Sequence, residues 1–404
     1  MANSMKNQVV FAAAGNGKTY TICKKAREAM LNSNKCILLL SYTNEGVHAL
    51  ETEYKNQNLG VLDERIVIKS WYRFLLSDFI KPYQCLLHLK EKKYSKELDY
   101  HFSENYISSV AFYSDNPPRF YNQTHYQYFV NSAGDVYPDR ASHLAILCNE
   151  HSLGKAANRL ESIYSHIFID ELQDYAGWDL EIIKLLFNSS ACVYCVGDYK
   201  QATYRTNNSP KNRQYRDENI RHFFAELERA HLCDVLYSNS TRRFNQEICD
   251  YINTIHKDPS AVVYPDLDAE RDIKESNCGV YLVDVNYLAA YCNYYHPTLL
   301  RYDKNAKVDF THECTAFNYG GCKGATYDRT VIIPVSTVLP FIKKQAPISS
   351  SQTKAKFYVA CTRARYSVVI AMKNPAECKH FKTCEIVLPN LTIPALKFHP
   401  SQAE

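Results

Sequence analysis

No uninterrupted apolar run in this sequence approaches the ~18 residues that a membrane-spanning helix needs. The N-terminal MANSMKNQ is polar, unlike the ~7–15-residue apolar centre of a secretory signal. The expectation from these absences is a soluble, cytoplasmic protein with no membrane partner. Neither sign of charge is in large excess: the 404 residues carry a net +4, with a pI near 8.2. So mild a balance permits a local basic groove but does not itself argue for nucleic acid. Internal repeats and low-complexity tails are absent. Cysteine is plentiful, at 15 residues, but no spacing suits a metal. The one CxxC, Cys192 and Cys195 in ACVYCVGD, falls on a strand-like run. Residues three apart on a strand face opposite sides, so the expectation is reduced, buried thiols.

What is present is a globular α/β pattern. The chain is 46% hydrophobic and 22% charged, enough for two or three domains with sizeable cores. Apolar runs recur at QVVFAAA, CILLLSY, RIVIKS, HIFIDE, CVYCVGD, GVYLVDV, RTVIIPV and YSVVIAM, with helical stretches between them. Strands alternating with helices indicate parallel sheets. Residues 80–160 break the pattern, being polar, lysine-rich at KEKKYSK and then tyrosine-rich. They read as an insertion, and residues 205–220 read as an exposed loop.

Five stretches carry chemistry. In AAAGNGKTY a strand runs into Gly15-Asn16-Gly17-Lys18-Thr19 and then a helix. Backbone N–H groups of such a loop, from Ala14 on, and the helix N-terminus face phosphates. Lys18 reaches the β and γ phosphates, and the Thr19 hydroxyl holds Mg²⁺. In HIFIDELQDY an apolar strand ends at Asp170-Glu171, where a Mg²⁺-holding carboxylate and a group that polarises water are needed. In VYCVGDYKQATYR, Gln201 follows another strand end, and its amide suits a γ-phosphate sensor. Arg242 and Arg243 open an amphipathic helix in RRFNQEICDYIN, with Ile248 and Ile252 on one face; Arg363 and Arg365 lie in YVACTRARYSV. Guanidinium groups there can neutralise a transferring phosphoryl group. Taken singly, each arginine pair reads as a surface ion pair.

Together these stretches resemble the UvrD/Rep/PcrA family of superfamily 1 helicases, in order across nearly the whole chain. AAAGNGKT is similar to the family's AGAGSGKT, LLSYTNEGVHAL to TFTNKAAREM, and KSWYRFL to its HSF segment. IDELQD, VGDYKQATYR, STRRFNQEI, GGCKGATYDRTVI and YVACTRARYSV resemble DExQD, GDPDQSIYR, NYRS, KGLEFDxV and YVALTRAK. The resemblance implies a P-loop NTPase of two RecA-like parallel-sheet lobes. The first lobe is 1–79 with 161–235, interrupted by the insertion at 80–160; the second is 236–404, without a large accessory domain. ATP and Mg²⁺ are the implied cofactors. Glu171, Gln201, Arg243 and Arg363 take catalytic roles. Ala14, Gly15, Asn16, Gly17, Lys18, Thr19, Arg242, Lys323 and Gly324 bind the nucleotide, with Thr19 and Asp170 at the metal. Tyr42, Asn44 and Tyr204 match positions at the DNA groove.

The chain departs from the family where Arg242 stands for the adenine-stacking tyrosine, Thr326 for a glutamate and Thr206 for an aromatic. The compact build resembles the helicase-like subunit of the Gabija anti-phage system, which implies a nuclease or sensor partner. The resulting expectation is an ATP-driven helicase or translocase on single-stranded or partly duplex DNA, moving 3′ to 5′. The alternatives are a nucleotide- and DNA-gated subunit that controls a partner without unwinding, and an RNA-directed helicase. The tyrosines of the insertion (Tyr106, Tyr113, Tyr121, Tyr126, Tyr128 and Tyr137) are expected to pack within it or to touch DNA or a partner.

Overall fold

Each of the eight apolar runs forms a β-strand in the computed structural model. It describes residues 7–93, 96–100, 102, 106–111, 117–118, 120–203, 207, 209–266, 275–304, 306, 314–376 and 380–400. Two units result. Met1–Phe11, Lys18–Tyr199 and Arg205–Leu236 form the first; Ala12–Gly17, Lys200–Tyr204 and Tyr237–Glu404 form the second.

The first unit is built on β1 (Gln8–Ala12), β2 (Cys36–Ser41) and β3 (Ile66–Ser70). A short hairpin, β4 (Lys90–Lys93) and β5 (Lys96–Asp99), stands apart from its main sheet. That sheet is completed by β6 (Tyr164–Ile169), β7 (Cys192–Gly197) and β8 (Asp234–Ser238), in the order β3-β2-β6-β7-β1-β8. The β1–β7, β7–β6, β6–β2 and β2–β3 pairs are all parallel. Ile37, Leu38, Leu39 and Leu40 are all fully buried, as expected for a strand covered on both faces. Helix α1 (Lys18–Leu31) buries Ile22, Cys23, Ala26 and Ala29, the stripe of a helix lying on a sheet. Helix α2 (Asn44–Gln57) starts where the Thr43 hydroxyl accepts a bond from Gly46 N at 3.0 Å, a side-chain N-cap.

Among the described residues between 80 and 163 are the β4–β5 hairpin, the short helices Lys81–Tyr83 and Tyr126–Phe129, and the longer helices Pro138–His151 and Lys155–Ile163. Helix Pro138–His151 begins with proline in its first turn and buries Ala141, Leu144, Ala145 and Cys148. Next to it, the buried Asp179 accepts bonds from Trp71 Nε1 at 2.9 Å, Ser142 Oγ at 2.5 Å and Ala176 N at 3.3 Å. Burial pushes the Asp179 carboxyl up to about 6 against these stabilising bonds. The described residues of 205–220 are only in part the exposed loop expected of them: Pro210, Arg213, Gln214 and Asn219 are exposed, but others are not. Asn207 and Ser209 are buried, Asn212 Nδ2 donates to Gly177 O at 3.0 Å and Glu181 at 2.8 Å, and Arg216 donates to Ser209 O at 2.6 Å. Polar side chains there satisfy one another, so hydrophilic composition does not imply exposure.

In the second unit β9 (Ser240–Thr241) pairs with β10 (Tyr264–Pro265). Its main sheet comprises β11 (Gly279–Asp284), β12 (Thr298–Arg301), β13 (Ala316–Asn318), β14 (Tyr327–Ile333), β15 (Ala364–Met372), β16 (Phe381–Leu388) and β17 (Leu391–Phe398). The order is β13-β12-β14-β15-β11-β17-β16. Five of these strands run parallel, but β17 is antiparallel to β11 and to β16. An antiparallel pair thus extends the parallel part of the sheet at one edge. Leu388 and Leu391 pair across a two-residue turn, and only an antiparallel return can follow a turn that short. Helix Gln246–His256 buries Ile248 and Ile252 as its spacing implies, and Asn245 caps it. Among the described residues, no helix is long and apolar enough to cross a membrane, and no three His, Cys, Asp or Glu side chains group to hold a metal ion.

Candidate nucleotide-binding site

In the first unit the site is assembled from helix α1 and the ends of β6 and β7. Lys18 and Thr19 open α1, so the N-terminal dipole of a 14-residue helix lies at their backbone. The Thr19 hydroxyl is 3.4 Å from the Asp170 carboxylate, which also accepts Glu171 N at 2.8 Å. Asp170 is 4% exposed. A hydroxyl and a buried carboxylate side by side are a hard-oxygen donor set of the kind Mg²⁺ takes. Glu171 sits at φ 54°, a left-handed conformation that is strained for a side chain of its size.

Gln173 ties two strand ends together. Its amide nitrogen donates to the Glu171 carboxylate, and its Oε1 accepts Asp198 N at 2.8 Å. A Cβ on Gly197 would lie 2.5 Å from Gln173 Oε1 and 2.8 Å from Leu172 Cβ, so the end of β7 must be glycine for the two segments to meet. Gln173 was not among the expected site residues. The signal available for it was an amide two residues beyond an acid pair at a strand end.

In the second unit, the loop residues Ala12–Gly17 pack against the segment that carries the first arginine pair. Ala13 N donates to Ser238 O at 2.9 Å, and Asn16 Nδ2 donates to Ser238 Oγ and Ser240 O, both at 2.9 Å. Thr241 Oγ1 donates to Ala14 O at 2.7 Å and Arg242 N to Gly15 O at 3.0 Å. Gly15 and Gly17 have φ of 75° and 84°. A Cβ on Gly15 would stand 2.5 Å from both Arg243 Cβ and Thr241 Oγ1, so this glycine answers to a close approach as well as to its conformation. Asn16, expected to face phosphate, spends its side chain on these loop contacts. Thr241 was missed, because nothing local marks a threonine two residues before an arginine as a partner of a distant loop.

Arg363 is 1% exposed and donates to Val359 O at 3.0 Å, Ala325 O at 3.3 Å, Thr362 Oγ1 at 3.1 Å and Gln201 Oε1 at 3.2 Å. Half-buried Arg243 donates to Thr362 O at 2.9 Å. Burial and then the nearby Arg363 push the Arg243 guanidinium down to about 9, so it is still charged at neutral pH. Four expected residues (Gly15, Gln201, Arg243 and Arg363) are thereby gathered in one unit. Lys323 and Gly324 occupy the turn before β14 next to Ala325; Gly324 has φ 85° and open space around its Cα. The other arginine of each pair is an exposed ion pair, Arg242 with Asp266 at 3.0 Å and Arg365 with Asp328 at 3.3 Å.

The expected strand-contacting residues are distributed differently. Asn44 is exposed at the first position of α2. Tyr42 is 4% exposed, its ring edge-on to Tyr72 at 5.5 Å and Tyr175 at 5.2 Å. Tyr42 packs in an aromatic cluster and presents no open face for a base. Tyr204, like Thr206 and Tyr113, lies outside the described residues. Within the insertion, Tyr126 stacks on Tyr100 at 3.5 Å and Tyr137 is buried. Tyr106 is exposed, its hydroxyl bonded to Lys81 O at 2.8 Å.

The chain belongs to the superfamily 1 helicases. Residues 155–372, more than half of it, match the family model of the viral superfamily 1 RNA helicase core domain. Residues 84–219 match that of the UvrD/REP helicase N-terminal domain. The parallel sheets of the two units are those of RecA-like helicase lobes. Similar solved structures include arterivirus nonstructural protein 10, a helicase, alone and in complex with DNA. Each is 12% identical with a TM-score of 0.43, over 92% and 91% of this chain respectively. The chain spans 60% of the length of those proteins. No curated protein matches it.

Proposed function

We propose that the chain hydrolyses ATP with Mg²⁺ and converts the cycle into movement along single-stranded or partly duplex DNA, as a UvrD-like motor stepping 3′ to 5′. The observation that carries this reading is the cluster of Arg243, Arg363, Gln201 and Gly15 in the second unit. Burial and the nearby Arg363 charge lower the Arg243 guanidinium, and an anion beside it would favour its charged form.

In this reading Lys18 meets the β and γ phosphates, and Thr19 and Asp170 hold Mg²⁺. Mg²⁺ supplies charge neutralisation to the phosphates when bound. Glu171, held by Gln173, orients water and takes its proton. Gln201 meets the γ-phosphate while its Oε1 accepts from Arg363, so the amide that senses the nucleotide is in contact with the arginine that stabilises transferring charge. Asn44 contacts the strand. The output passes to a nuclease or sensor partner in antiviral defence, a proposal that rests on the compact motif set alone.

An RNA strand is a second reading, favoured by the match over residues 155–372 to a viral RNA helicase core. Strand displacement and ATP hydrolysis on matched DNA and RNA substrates test both. Unwinding of a 3′-tailed DNA duplex is expected. Stimulation by RNA alone overturns the DNA reading, and hydrolysis without displacement favours the gated subunit. Lys18→Ala is expected to lower hydrolysis about a thousandfold or more with unchanged circular dichroism. Near-normal turnover would remove the phosphate-loop assignment.

A further inference from the structure

Within the first unit is a cavity of about 610 Å³ lined in part by Tyr121, Tyr128, Arg140, His143, Trp178 and Lys211. Its walls are aromatic and its charged residues basic; no carboxylate is among the described lining residues. His143 and Trp178 are stacked, with ring centroids 3.8 Å apart and planes at 4°. Lys211 lies over the Trp178 ring at 5.1 Å and is 3.5 Å from Glu181. Arg140 lies over Tyr128 at 4.0 Å and donates to its hydroxyl. Two polar atoms are buried with no partner among the described residues, His143 Nδ1 and Arg140 Nε, and His143 is 3% exposed. Burial, Arg140 and Lys211 hold the imidazole down at about 4, so near neutral pH it is an uncharged donor and acceptor.

These features select a ligand chemistry. A cationic ligand is repelled by Arg140 and Lys211. A purely apolar one leaves His143 Nδ1 and Arg140 Nε buried without partners, which costs more than the contact returns. A flat ring with a polar edge and an attached anion satisfies all three demands: stacking, a hydrogen bond to an imidazole nitrogen, and charge. We propose that this cavity binds one nucleotide, its base against the aromatic wall and its phosphate at Arg140 and Lys211. The proposal rests on the motor reading only for its preferred source, an unstacked nucleotide of the single strand. A free mononucleotide has the same chemistry.

The site also has a route to the acids of the first unit. Trp178 directly precedes Asp179, whose carboxylate joins Trp71 of the KSWYRFL segment to Ser142, the neighbour of His143. Trp178 follows Asp174 of the IDELQD box by four residues. A base stacked in the cavity therefore bears on the segment leading from Glu171.

The sequence has two tryptophans, so Trp71→Phe leaves Trp178 as the only one. Fluorescence of that protein is titrated with oligothymidylate and, separately, with thymidine monophosphate, while anisotropy of a labelled strand reports strand binding. Quenching by the strand alone assigns the cavity to the strand, and quenching by the monophosphate makes it a free-nucleotide site; both support it. A strand that binds with no quenching by either ligand overturns it and leaves the motor reading standing. A strand that fails to bind counts against the motor reading, and the monophosphate titration still decides the cavity. Should Trp71→Phe not fold, photocrosslinking of wild-type protein to 5-iodouracil strands replaces it: adducts at Tyr121, Tyr128, His143 or Trp178 support the site, and adducts confined elsewhere overturn it. The double variant Arg140→Gln, Lys211→Gln is expected to weaken the quenching ligand roughly tenfold; unchanged affinity overturns the phosphate assignment.

Discussion

The two units hold opposite charges in opposite ways. In the first, acids at strand ends are fixed by backbone and amide donors: Asp170 by Glu171 N, and Glu171 by Gln173, which also holds Asp198 N. In the second, Arg363 is held by the neutral oxygens of Val359, Ala325, Thr362 and Gln201, with a second guanidinium close by. Bound donors aim a carboxylate. Carbonyl, hydroxyl and amide oxygens fix the direction of a guanidinium. The difference lies in what orients each charge: N–H donors for the acids of the first unit, oxygen acceptors for Arg363 in the second.

The comparison can be broken at its strongest point with one substitution in each unit. Arg363→Ala is expected to lower the hydrolysis rate about 10³-fold, in the range of an arginine acting on a phosphoryl transition state, while ATP binds within severalfold of normal. Glu171→Gln is expected to cost about 10²–10⁴-fold in rate, also with binding retained. Equal losses of binding and rate for Arg363→Ala would make it a structural or ground-state residue. A smaller effect separates two glycines of similar φ. Gly15→Ala meets Arg243 and Thr241 at 2.5 Å, whereas Gly324→Ala meets nothing within 4 Å. About 2–3 kcal/mol is expected for the first and about 1 kcal/mol for the second, read from denaturant midpoints; equal costs would deny the close approach. Smaller again, Arg243→Met removes a like charge beside Arg363. Ligand-free melting is expected to rise by a few degrees and its response to ATP to shrink; a lower ligand-free midpoint would mean that the bond to Thr362 O outweighs the repulsion.

The smallest effect is in pH dependence, and two groups of the first unit oppose each other there. Asp179 has its carboxyl raised from 3.8 to about 6, so the folded state regains stability as pH falls through about 6. His143 is lowered from 6.5 to about 4, so its contribution is full above 6.5 and is lost as pH falls toward 4. Asp179→Asn removes the gain and leaves the loss. Its stability should then fall more steeply between pH 6.5 and 4 than that of the parent, by up to about 1.4 kcal/mol per pH unit. Parallel stability–pH curves would contradict the assignment.

Local signals located the eight apolar strands, the glycine loop and the helix face with Ile248 and Ile252, because each depends on near neighbours; the helix itself starts at Gln246, after the two arginines expected to open it. What escaped depends on distant chain. Tyr42 was legible as an aromatic beside a motif, but its burial is decided by Tyr72 and Tyr175. Thr241 gains its role from Ala14, 227 residues away. Residues 205–220 look exposed by composition, and the bonds of Asn212 to Gly177 and Glu181 are invisible at that level. Arg363 and Arg365 are equivalent as sequence, yet one is 1% exposed and the other is an exposed ion pair with Asp328.

The most direct test of the central claim is the steady-state rate of ATP hydrolysis by the intact chain, with and without single-stranded nucleic acid, in Mg²⁺ buffer. A low basal rate that the strand raises at least about tenfold, and that Lys18→Ala abolishes, is expected of a strand-driven motor. A rate indifferent to any strand, or no hydrolysis at all in wild-type protein that binds the strand, would contradict it.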